Sequence, residues 1–352
     1  MNYEETLVAL QTKMQVVTEQ NITKIIKPID GENFSGSYSP FLLPSLQGLV
    51  EPSDLVDDLD ELRSGNDIVG TKDLAGDDVI TVRKVISFMN RNVQVEELTP
   101  IKTDLDRILI YFHGGAFYGG RIEDLHHFLK LVALKSGIKV INVDYHLAPE
   151  MPYPASILDG LAVSLYYRLH ENFDRMLVGG DSAGGNLAIG VKTLLQHLGY
   201  PTFGQQILLY PVLTLADDEN TKLWDLSAYP ISKDQEIIRD HYRELFMSLN
   251  KLMRKYYLRH QENLMSPFIS PLYSDCNNEP ETLILVGEYD FYRLQNEAFT
   301  RKVMASGGKT HFVQYNGMAH AFAPLVGLFP QAEDAATEVS RFIKNEEGTM
   351  YA

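Results

Sequence analysis

Cysteine is almost absent from this sequence: Cys276 is the single one among 352 residues, so no internal disulfide can form. Cys276 lies among polar residues, and we expect it in a surface loop as an incidental thiol. Long hydrophobic runs are also missing, since no stretch approaches the roughly 18 apolar residues that a membrane-spanning helix needs. The N-terminus lacks the basic start and apolar core of a secretion signal. We therefore expect a water-soluble, cytoplasmic protein without a membrane span.

Basic residues are too few for a protein that binds nucleic acid. The chain has 31 Lys and Arg against 47 Asp and Glu, which gives a net charge of −16. Nucleic-acid grooves depend on Lys and Arg that neutralise phosphates, so this composition argues against nucleic acid as a partner and disfavours anionic substrates. Hydrophobic residues make up 45% of the chain, as in ordinary folded proteins. The length allows one large α/β domain or two smaller ones.

From about residue 106 onward, short apolar runs alternate with helical patterns, as in the βαβ units of a parallel sheet. The apolar runs lack period-two alternation, which is expected of strands that helices cover on both sheet faces. An earlier run at 79–89 is predicted to be an antiparallel edge strand. The predicted parallel strands are residues 108–112, 139–143, 176–180, 206–210, 282–286 and 311–315.

Two regions lie outside this alternation. Residues 1–75 are helical in character and end near an acidic run. Between two predicted strands, Ser232 and Gln235 form a capping-box pattern, and the apolar residues after them recur with helical spacing. We therefore predict one long amphipathic helix inserted between two strands of the sheet. The last strand, 311–315, is predicted to leave an exposed edge on which a homodimer could form.

Residues 180–184, Gly-Asp-Ser-Ala-Gly, fit the Gly-x-Ser-x-Gly motif of a sharp turn from a strand into a helix. Neighbouring side chains must be absent from such a turn, which accounts for the glycines. The context agrees, because a predicted strand precedes Ser182 and a helical pattern over 183–198 follows it. A dinucleotide-binding turn is the alternative, but its Gly-x-Gly-x-x-Gly pattern does not occur. Ser182 is therefore the candidate nucleophile.

Residues 113–117, His-Gly-Gly-Ala-Phe, directly follow a predicted strand. Two consecutive glycines after a strand can turn their N–H groups toward one point, where the carbonyl oxygen of an ester becomes an oxyanion. The N–H of Ala183, at the start of the next helix, would converge on the same point. We predict an oxyanion hole formed by Gly114, Gly115 and Ala183, with a plain turn as the alternative. His113 is interpreted as a structural anchor of this loop.

A serine hydroxyl needs a neighbouring base, and that base needs a carboxylate to hold its tautomer. Among the histidines after Ser182, only His320 lies just past a predicted last strand, where catalytic groups of open α/β sheets gather. By the same argument Asp290, which follows a predicted strand, is the best acid, with Glu288 as an alternative. The remaining histidines lie in helices, in the inserted region or at a strand start: His197, His241, His260 and His311.

Several segments together resemble one known family: HGGAF (113–117), VDYHLAPE (143–150), PYPA (152–155), GDSAGGNLA (180–188) and NGMAHAF (316–322). They are similar to the hormone-sensitive-lipase group of α/β-hydrolases, to which many bacterial acetyl esterases and carboxylesterases belong. The resemblance implies an α/β-hydrolase fold with an eight-stranded, mostly parallel sheet flanked by helices. It also implies a helical cap, formed by residues 1–75 and by an insertion at about 213–265 in a catalytic core of residues 76–352.

The family's catalytic and oxyanion residues fall on the positions already selected from the residues themselves: Ser182, Asp290, His320, Gly114, Gly115 and Ala183. Three departures from the family pattern affect what can be transferred. Ala116 replaces the usual third glycine of the loop, and His146 replaces an arginine, so a supporting salt bridge is expected to be lost. Bulky residues at 291–295 follow Asp290 and are expected to reshape the acyl pocket.

The leading hypothesis is a serine carboxylesterase that hydrolyses short- to medium-chain acyl esters through an acyl-enzyme intermediate. Its partner would be a small-molecule ester, and the reaction needs no cofactor. No metal is expected either, because His126 and His127 have no further ligand at suitable spacing. An amidase or peptidase with the same triad is one alternative. A small-ligand receptor that has kept the fold and lost the chemistry is another, and the presence of His320 argues against it.

Overall fold

The computed structural model describes residues 2–31, 33–34, 36–50, 56–64, 70–103, 107–171, 175–216, 222–259 and 261–345. His260, one of the histidines considered above, lies outside the described residues, as do residues 217–221 of the predicted insertion. In the described part of the chain, a mixed sheet is flanked by helices, and the core is built from both.

The strands, in chain order, are β1 Gln15–Glu19, β2 Ile22–Lys27, β3 Val79–Phe88, β4 Arg91–Pro100, β5 Arg107–Phe112, β6 Lys139–Asp144, β7 Arg175–Asp181, β8 Gln205–Leu209, β9 Glu281–Gly287 and β10 Thr310–Tyr315. Their order across the sheet is β1-β2-β10-β9-β8-β7-β5-β6-β4-β3. The six predicted parallel strands, β5 to β10, agree with the predicted bounds to within one residue at each end. These six pair in parallel with one another.

The main helices, in chain order, are α1 Tyr3–Thr12, α2 Leu43–Leu46, α3 Leu59–Ser64, α4 His126–Ser136, α5 Ala155–His170, α6 Ala183–His197, α7 Glu236–Tyr257, α8 Arg293–Ala305 and α9 Pro330–Lys344. The central strands are buried along nearly their whole length, and β8 is buried at every position. Burying each Leu, Ile or Val side chain stabilises the fold by about 1.5–3 kcal/mol. This burial explains why the strands lack alternation in the sequence.

The prediction that residues 1–75 form only a helical part of the cap is wrong for the first 27 residues. The strands β1 and β2 form a hairpin, and β2 pairs in parallel with β10. The two residues between the strands, Gln20 and Asn21, have φ of 49° and 66°, as a tight hairpin turn of this twist requires. The helix α1 packs against α9 of the core. Within the described ranges the sheet has ten strands instead of the predicted eight.

The hairpin also corrects the predicted dimer edge. Residues 311–315 were expected to be an exposed strand, but Ile22–Lys27 of the same chain covers their free edge. Lys27 anchors the hairpin, because its Nζ lies 3.0 Å from Asp334 and 2.6 Å from Glu338, and all three side chains are buried. Removing one partner of such a buried cluster is strongly destabilising, since it leaves an uncompensated charge.

Two segments lie outside the sheet and its flanking helices, and they are named the two cap pieces after the prediction. The first contains α2 and α3, with a 3-10 turn at Gln47–Val50 between them, and the second lies between β8 and β9 and contains α7. The turn Gln47–Val50 packs against α7, so the two pieces contact each other. The predicted capping box at Ser232 and Gln235 is wrong. The Gln235 side-chain oxygen instead accepts a hydrogen bond of 2.8 Å from the N–H of Tyr38, and the helix begins at the next residue.

Cys276 also differs from its prediction. It lies in a loop, as expected, but only 1% of its surface is exposed, and burial raises the pKa of its thiol. In the described ranges, no helix combines the length and the apolar character that crossing a membrane requires.

Candidate active site

The nucleophile candidate stands on a strained turn between β7 and α6. Ser182 has φ of 53° and ψ of −120°, a conformation that costs a non-glycine residue about 1–3 kcal/mol and persists only where the surroundings impose it. A Cβ on Gly180 would lie 2.3 Å from the carbonyl of Gly184, and one on Gly184 would lie 2.0 Å from the carbonyl oxygen of Phe112. The two glycines are therefore required by the close contact of the turn with its own helix and with β5.

The structure brings the three predicted residues together at the carboxyl ends of the strands. His320 Nε2 lies 2.8 Å from Ser182 Oγ, and His320 Nδ1 lies 2.7 Å from Asp290 Oδ2. This arrangement assigns the tautomer: Nδ1–H donates to the carboxylate, and Nε2 is left to accept the serine proton. Asp290 is fully buried and Ser182 is 9% exposed, so the chain of hydrogen bonds is shielded from bulk water.

The two candidate acids have different partners. The Oδ1 atom of Asp290 accepts a 2.8 Å hydrogen bond from the N–H of Tyr292, which leaves Oδ2 for His320. Glu288 instead accepts a 2.9 Å hydrogen bond from the N–H of Gly317, in the loop that carries His320. Burial raises the pKa of Glu288 to about 7. The geometry thus favours Asp290 as the hydrogen-bond partner of His320. Glu288 instead binds the backbone of the loop that carries His320.

Other histidines make contacts away from Ser182. His197 Nδ1 donates to the carbonyl of Thr193 at 2.8 Å, and His311 Nε2 lies 3.0 Å from Glu281. His113 donates from Nδ1 to the carbonyl of Gly114 at 2.7 Å and stacks on Tyr145 at 4.3 Å. Burial lowers the pKa of His113 to about 4, so this imidazole is neutral near pH 7. These contacts agree with its interpretation as an anchor for the loop.

The loop after β5, residues 114–120, differs in one respect from its prediction. The N–H of Gly114 donates a 2.9 Å hydrogen bond to Asp181 Oδ1, so Gly114 is not a free oxyanion donor. Among the described residues, the N–H groups of Gly115, Ala116 and Ala183 have no hydrogen-bond acceptor. The oxyanion role of Gly115 and Ala183 stays a prediction, and Ala116 offers a further N–H without an acceptor where the N–H of Gly114 is already bonded. The N–H of Gly114 is not free because the side chain of Asp181, the residue directly before the serine, accepts its hydrogen bond.

Asp181 is a functional candidate that the sequence reasoning missed. It is 3% exposed, and burial raises its pKa from 3.8 to about 7. Its side chain connects the turn that carries Ser182 to the loop at 114–120. There was little reason in the sequence to select Asp181, because it occupies the first x of the Gly-x-Ser-x-Gly motif and the motif allows any residue there.

Aromatic rings surround the imidazole of His320. The ring centroids of Tyr210, Phe246 and Tyr292 lie 4.8, 5.2 and 5.3 Å from the centroid of His320. Phe246 belongs to α7, so the second cap piece contacts the candidate base directly. Tyr242 of the same helix accepts a 3.3 Å hydrogen bond from the N–H of His320. The bulky residues after Asp290 thus pack with the cap against the histidine.

The expected loss of a salt bridge at His146 is also corrected. His146 Nδ1 lies 2.8 Å from Asp159 Oδ2, and its N–H donates to the same oxygen at 2.9 Å. The guanidinium of Arg91 donates from Nε to Asp159 Oδ1. Asp159 is fully buried, so a cation beside it is needed. Arg91, from the β4 strand that sequence reasoning missed, supplies this cation.

In the part of the chain that the structure describes, no three His, Cys, Asp or Glu side chains come together as metal ligands. The arrangement offers a nucleophile with a base, a carboxylate behind the base, and backbone donors beside the nucleophile. These are the parts that acyl transfer to water requires.

Comparison with known proteins shows the family of this chain. A family with the alpha/beta hydrolase fold matches residues 109–324. An arylesterase of Saccharolobus solfataricus is 31% identical over 246 residues, 67% of this chain and 75% of that protein. An acetyl esterase of Salmonella schwarzengrund is 26% identical over 243 residues, 67% of this chain and 71% of that protein.

Solved structures agree on the fold. The Pyrobaculum calidifontis esterase superposes with a TM-score of 0.73 at 24% identity, over 88% of this chain and 99% of that one. An alpha/beta hydrolase from the metagenome of Lake Arreo has a TM-score of 0.66 at 27% identity, over 76% and 83% of the two chains.

Proposed function

Because the chain belongs to the alpha/beta hydrolase family, and within it to the hormone-sensitive-lipase-like group, we propose that it is a serine carboxylesterase. Its substrates are short- to medium-chain acyl esters of small molecules. The relatives named above are an arylesterase and an acetyl esterase, which supports ester hydrolysis as the reaction.

The observation that carries the proposal is the continuous chain of hydrogen bonds from Asp290 through His320 to Ser182. His320 takes the proton of Ser182 as Oγ attacks the ester carbonyl, and the buried carboxylate of Asp290 stabilises the imidazolium. The protonated His320 then gives its proton to the leaving alcohol, which leaves Ser182 acylated. Water attacks this acyl-enzyme with His320 again as the base, and the acid is released with the serine regenerated.

The amides of Gly115, Ala116 and Ala183 are the donors that we assign to the oxyanion of both tetrahedral intermediates. Ala183 is the first residue of α6, so the positive end of the helix dipole adds to this stabilisation. One such donor contributes about 2.7–4 kcal/mol to lowering the barrier. Aromatic side chains pack against His320 and restrict the space for the acyl group.

The first experiment is hydrolysis of p-nitrophenyl acetate, butyrate, octanoate and palmitate by the wild type and by Ser182→Ala. We expect hydrolysis of the shorter esters, and a loss of at least about 10³-fold in kcat for the variant. Ser164→Ala, at a buried serine of α5, is the matched control and should leave kcat unchanged. A wild type that cleaves none of these esters, or a Ser182→Ala variant as active as the wild type, would contradict the proposal.

The same assay separates the two alternatives. An amidase would also cleave the anilide of the same acyl group, whereas a carboxylesterase would cleave only the ester. A receptor would cleave neither, and its serine would not be labelled by a fluorophosphonate, because labelling needs the histidine-activated hydroxyl.

A further inference from the structure

Arg63, in the first cap piece, contacts the loop at 114–120. Its Nε donates a 2.7 Å hydrogen bond to the carbonyl of Tyr118, and its Nη2 donates a 3.0 Å hydrogen bond to the carbonyl of Ala148. Both acceptors are backbone atoms, so the contact depends on where the backbone lies and not on a particular side chain. Arg63 thus joins the cap to two segments of the core through one planar group.

The guanidinium itself is held in place. Glu150 accepts from Nη1 at 2.9 Å and from Nη2 at 2.7 Å, a bidentate pair that sets the plane of the group. The pair is partly exposed, so the ion pair itself contributes little to stability. Its effect is on geometry, because a fixed guanidinium presents the remaining N–H groups in fixed directions.

The loop that Arg63 contacts needs external support. Ala116 and Phe117 have φ of 55° and 67°, in the left-handed region that side chains rarely adopt. Such a conformation costs free energy and persists only where the surroundings impose it. Tyr118 is the next residue, and the carbonyl of Phe117 accepts a 3.0 Å hydrogen bond from the N–H of Ala148. The two carbonyls bonded to Arg63 therefore belong to segments that are bonded to each other beside the strained residues.

The second cap piece contacts the same residues through rings. Phe117 stacks on Tyr257 with the centroids 4.0 Å apart, and Tyr118 meets Tyr256 edge to face at 5.3 Å. Stacking constrains the side chains of the loop, whereas Arg63 constrains its carbonyls. Of the two cap pieces, the first thus supplies polar support to the loop through Arg63, and the second supplies ring contacts.

We propose that Arg63 is a positioning residue for the oxyanion hole, which holds the loop so that the Gly115 and Ala116 amides face the reacting carbonyl. The proposal rests on the proposed function, because it assigns these amides to the oxyanion. Arg63 does not contact Ser182 or His320. Its role is to make transition-state stabilisation depend on the position of the cap.

The first measurement is steady-state hydrolysis of p-nitrophenyl acetate by Arg63→Ala. We expect kcat to fall about 10- to 100-fold with KM within about threefold of the wild type, because the donors act on the oxyanion and not on the bound ester. Arg63→Lys should lose less, since an ammonium can reach one carbonyl but cannot donate to both as the planar fork does.

A second measurement separates positioning from a structural role. A trifluoromethyl ketone adds to the serine as a tetrahedral oxyanion, so its inhibition constant should rise by the factor by which kcat/KM falls. The thermal midpoint of unfolding should change little, because Arg63 lies on a short surface helix. A cavity of 630 Å³ lined by Arg63, Gly119, Gly120 and Glu150 lies beside the guanidinium. Added methylguanidinium should therefore enter it and partly restore kcat of Arg63→Ala.

The matched control is Arg168→Ala. Arg168 also donates to a backbone carbonyl, that of Thr202 at 3.3 Å, but belongs to α5 and makes no contact with the loop at 114–120. Its kcat should stay within about twofold of the wild type. An Arg63→Ala variant with wild-type kcat, in an enzyme whose activity depends on Ser182, would overturn the role of Arg63 alone. If Ser182→Ala also matched the wild type, the proposed function would fail first.

Discussion

The two loops that meet beside Ser182 are held in different ways. The turn at Ser182 is fixed by contacts within a few residues of itself and with the neighbouring strand, through Gly180 and Gly184. The loop at 114–120 is fixed by Asp181 from the next strand, by Ala148, and by Arg63 from the cap. Both contain residues with positive φ. One loop is therefore held by steric contact with the core, and the other by polar contacts that the cap can change.

This difference predicts different consequences for substitution. A side chain added at the turn of Ser182 displaces backbone in the core, where packing is dense and relaxation is limited. A side chain added at Gly115 or Gly120 instead meets mainly backbone of the loop itself. Damage to the first should thus affect folding and activity together, whereas damage to the second should affect activity more than folding.

The largest effect is expected for Gly184→Ala. Its Cβ would lie 2.0 Å from the carbonyl oxygen of Phe112 and 2.5 Å from that of His113, so β5 or α6 must move. We expect loss of detectable ester hydrolysis together with a marked fall in the melting temperature, measured by circular dichroism. Gly204→Ala is the control, because an added Cβ there meets nothing within 4 Å, and the melting temperature should stay the same or rise. Normal activity in Gly184→Ala would mean that the turn is not rigid.

A smaller effect is expected for Gly115→Ala in the other loop. The added Cβ would lie 2.1 Å from the carbonyl oxygen of Gly119, and φ of 120° is unfavourable for alanine. We expect kcat to fall by about 10²- to 10³-fold, the loss of roughly one oxyanion donor. The melting temperature should change much less than in Gly184→Ala. Equal losses of stability in the two variants would remove the distinction between the loops.

The smallest effect concerns pH. Burial raises the pKa of Asp181 from 3.8 and that of Glu288 from 4.5, both to about 7. Below pH 7 both carboxyls are therefore mostly protonated in the folded protein, including at pH values where they would be ionised in the unfolded chain. Protonation of these two carboxyls therefore stabilises the folded protein relative to the unfolded chain. This contribution to the free energy of unfolding is complete below the ordinary pKa values of the unfolded chain and is lost as the pH rises toward 7. The melting temperature of the wild type should therefore decline across this interval and level off above it.

Asp181→Asn and Glu288→Gln each remove one titrating carboxyl, so the decline should become shallower in each variant and shallower still in the double variant. Thermal melts across the same pH series measure this slope. Asp275→Asn, at an exposed carboxyl, serves as the control and should keep the wild-type slope. An unchanged slope in the double variant would show that other groups set the pH dependence.

Much of the fold followed from the sequence because the relevant signals are local. Apolar runs of strand length and helical spacing between them indicated β5 to β10 and the helices α6 and α7. The hairpin of β1 and β2, and the strand β4 that forms a hairpin with β3, were missed although a signal was present for each. Gln20 and Asn21, and likewise Met89 and Asn90, are pairs with positive φ between two runs rich in β-branched residues. A two-residue turn of this kind carries a weaker sequence signal when it lacks glycine.

In the candidate site, too, some features followed from the sequence and others did not. The positions of Ser182, Asp290 and His320 at strand ends followed from motif and chain order, and the structure places their atoms within hydrogen-bond distance. Their catalytic roles stay a proposal that Ser182→Ala tests. The state of Gly114 did not follow, because its N–H is occupied by Asp181, a contact that exists only once β5 and β7 are paired.

By itself, then, the sequence determined the six parallel strands β5 to β10, the long helix between β8 and β9, and the position of the nucleophile turn, because periodicity and steric exclusion act over a few residues. The tertiary structure alone decided that β2 pairs with β10, that Arg91 neutralises Asp159, and that Arg63 holds the loop at 114–120. These contacts join residues far apart in the chain. Their formation depends on how the layers pack, and no local pattern encodes that geometry.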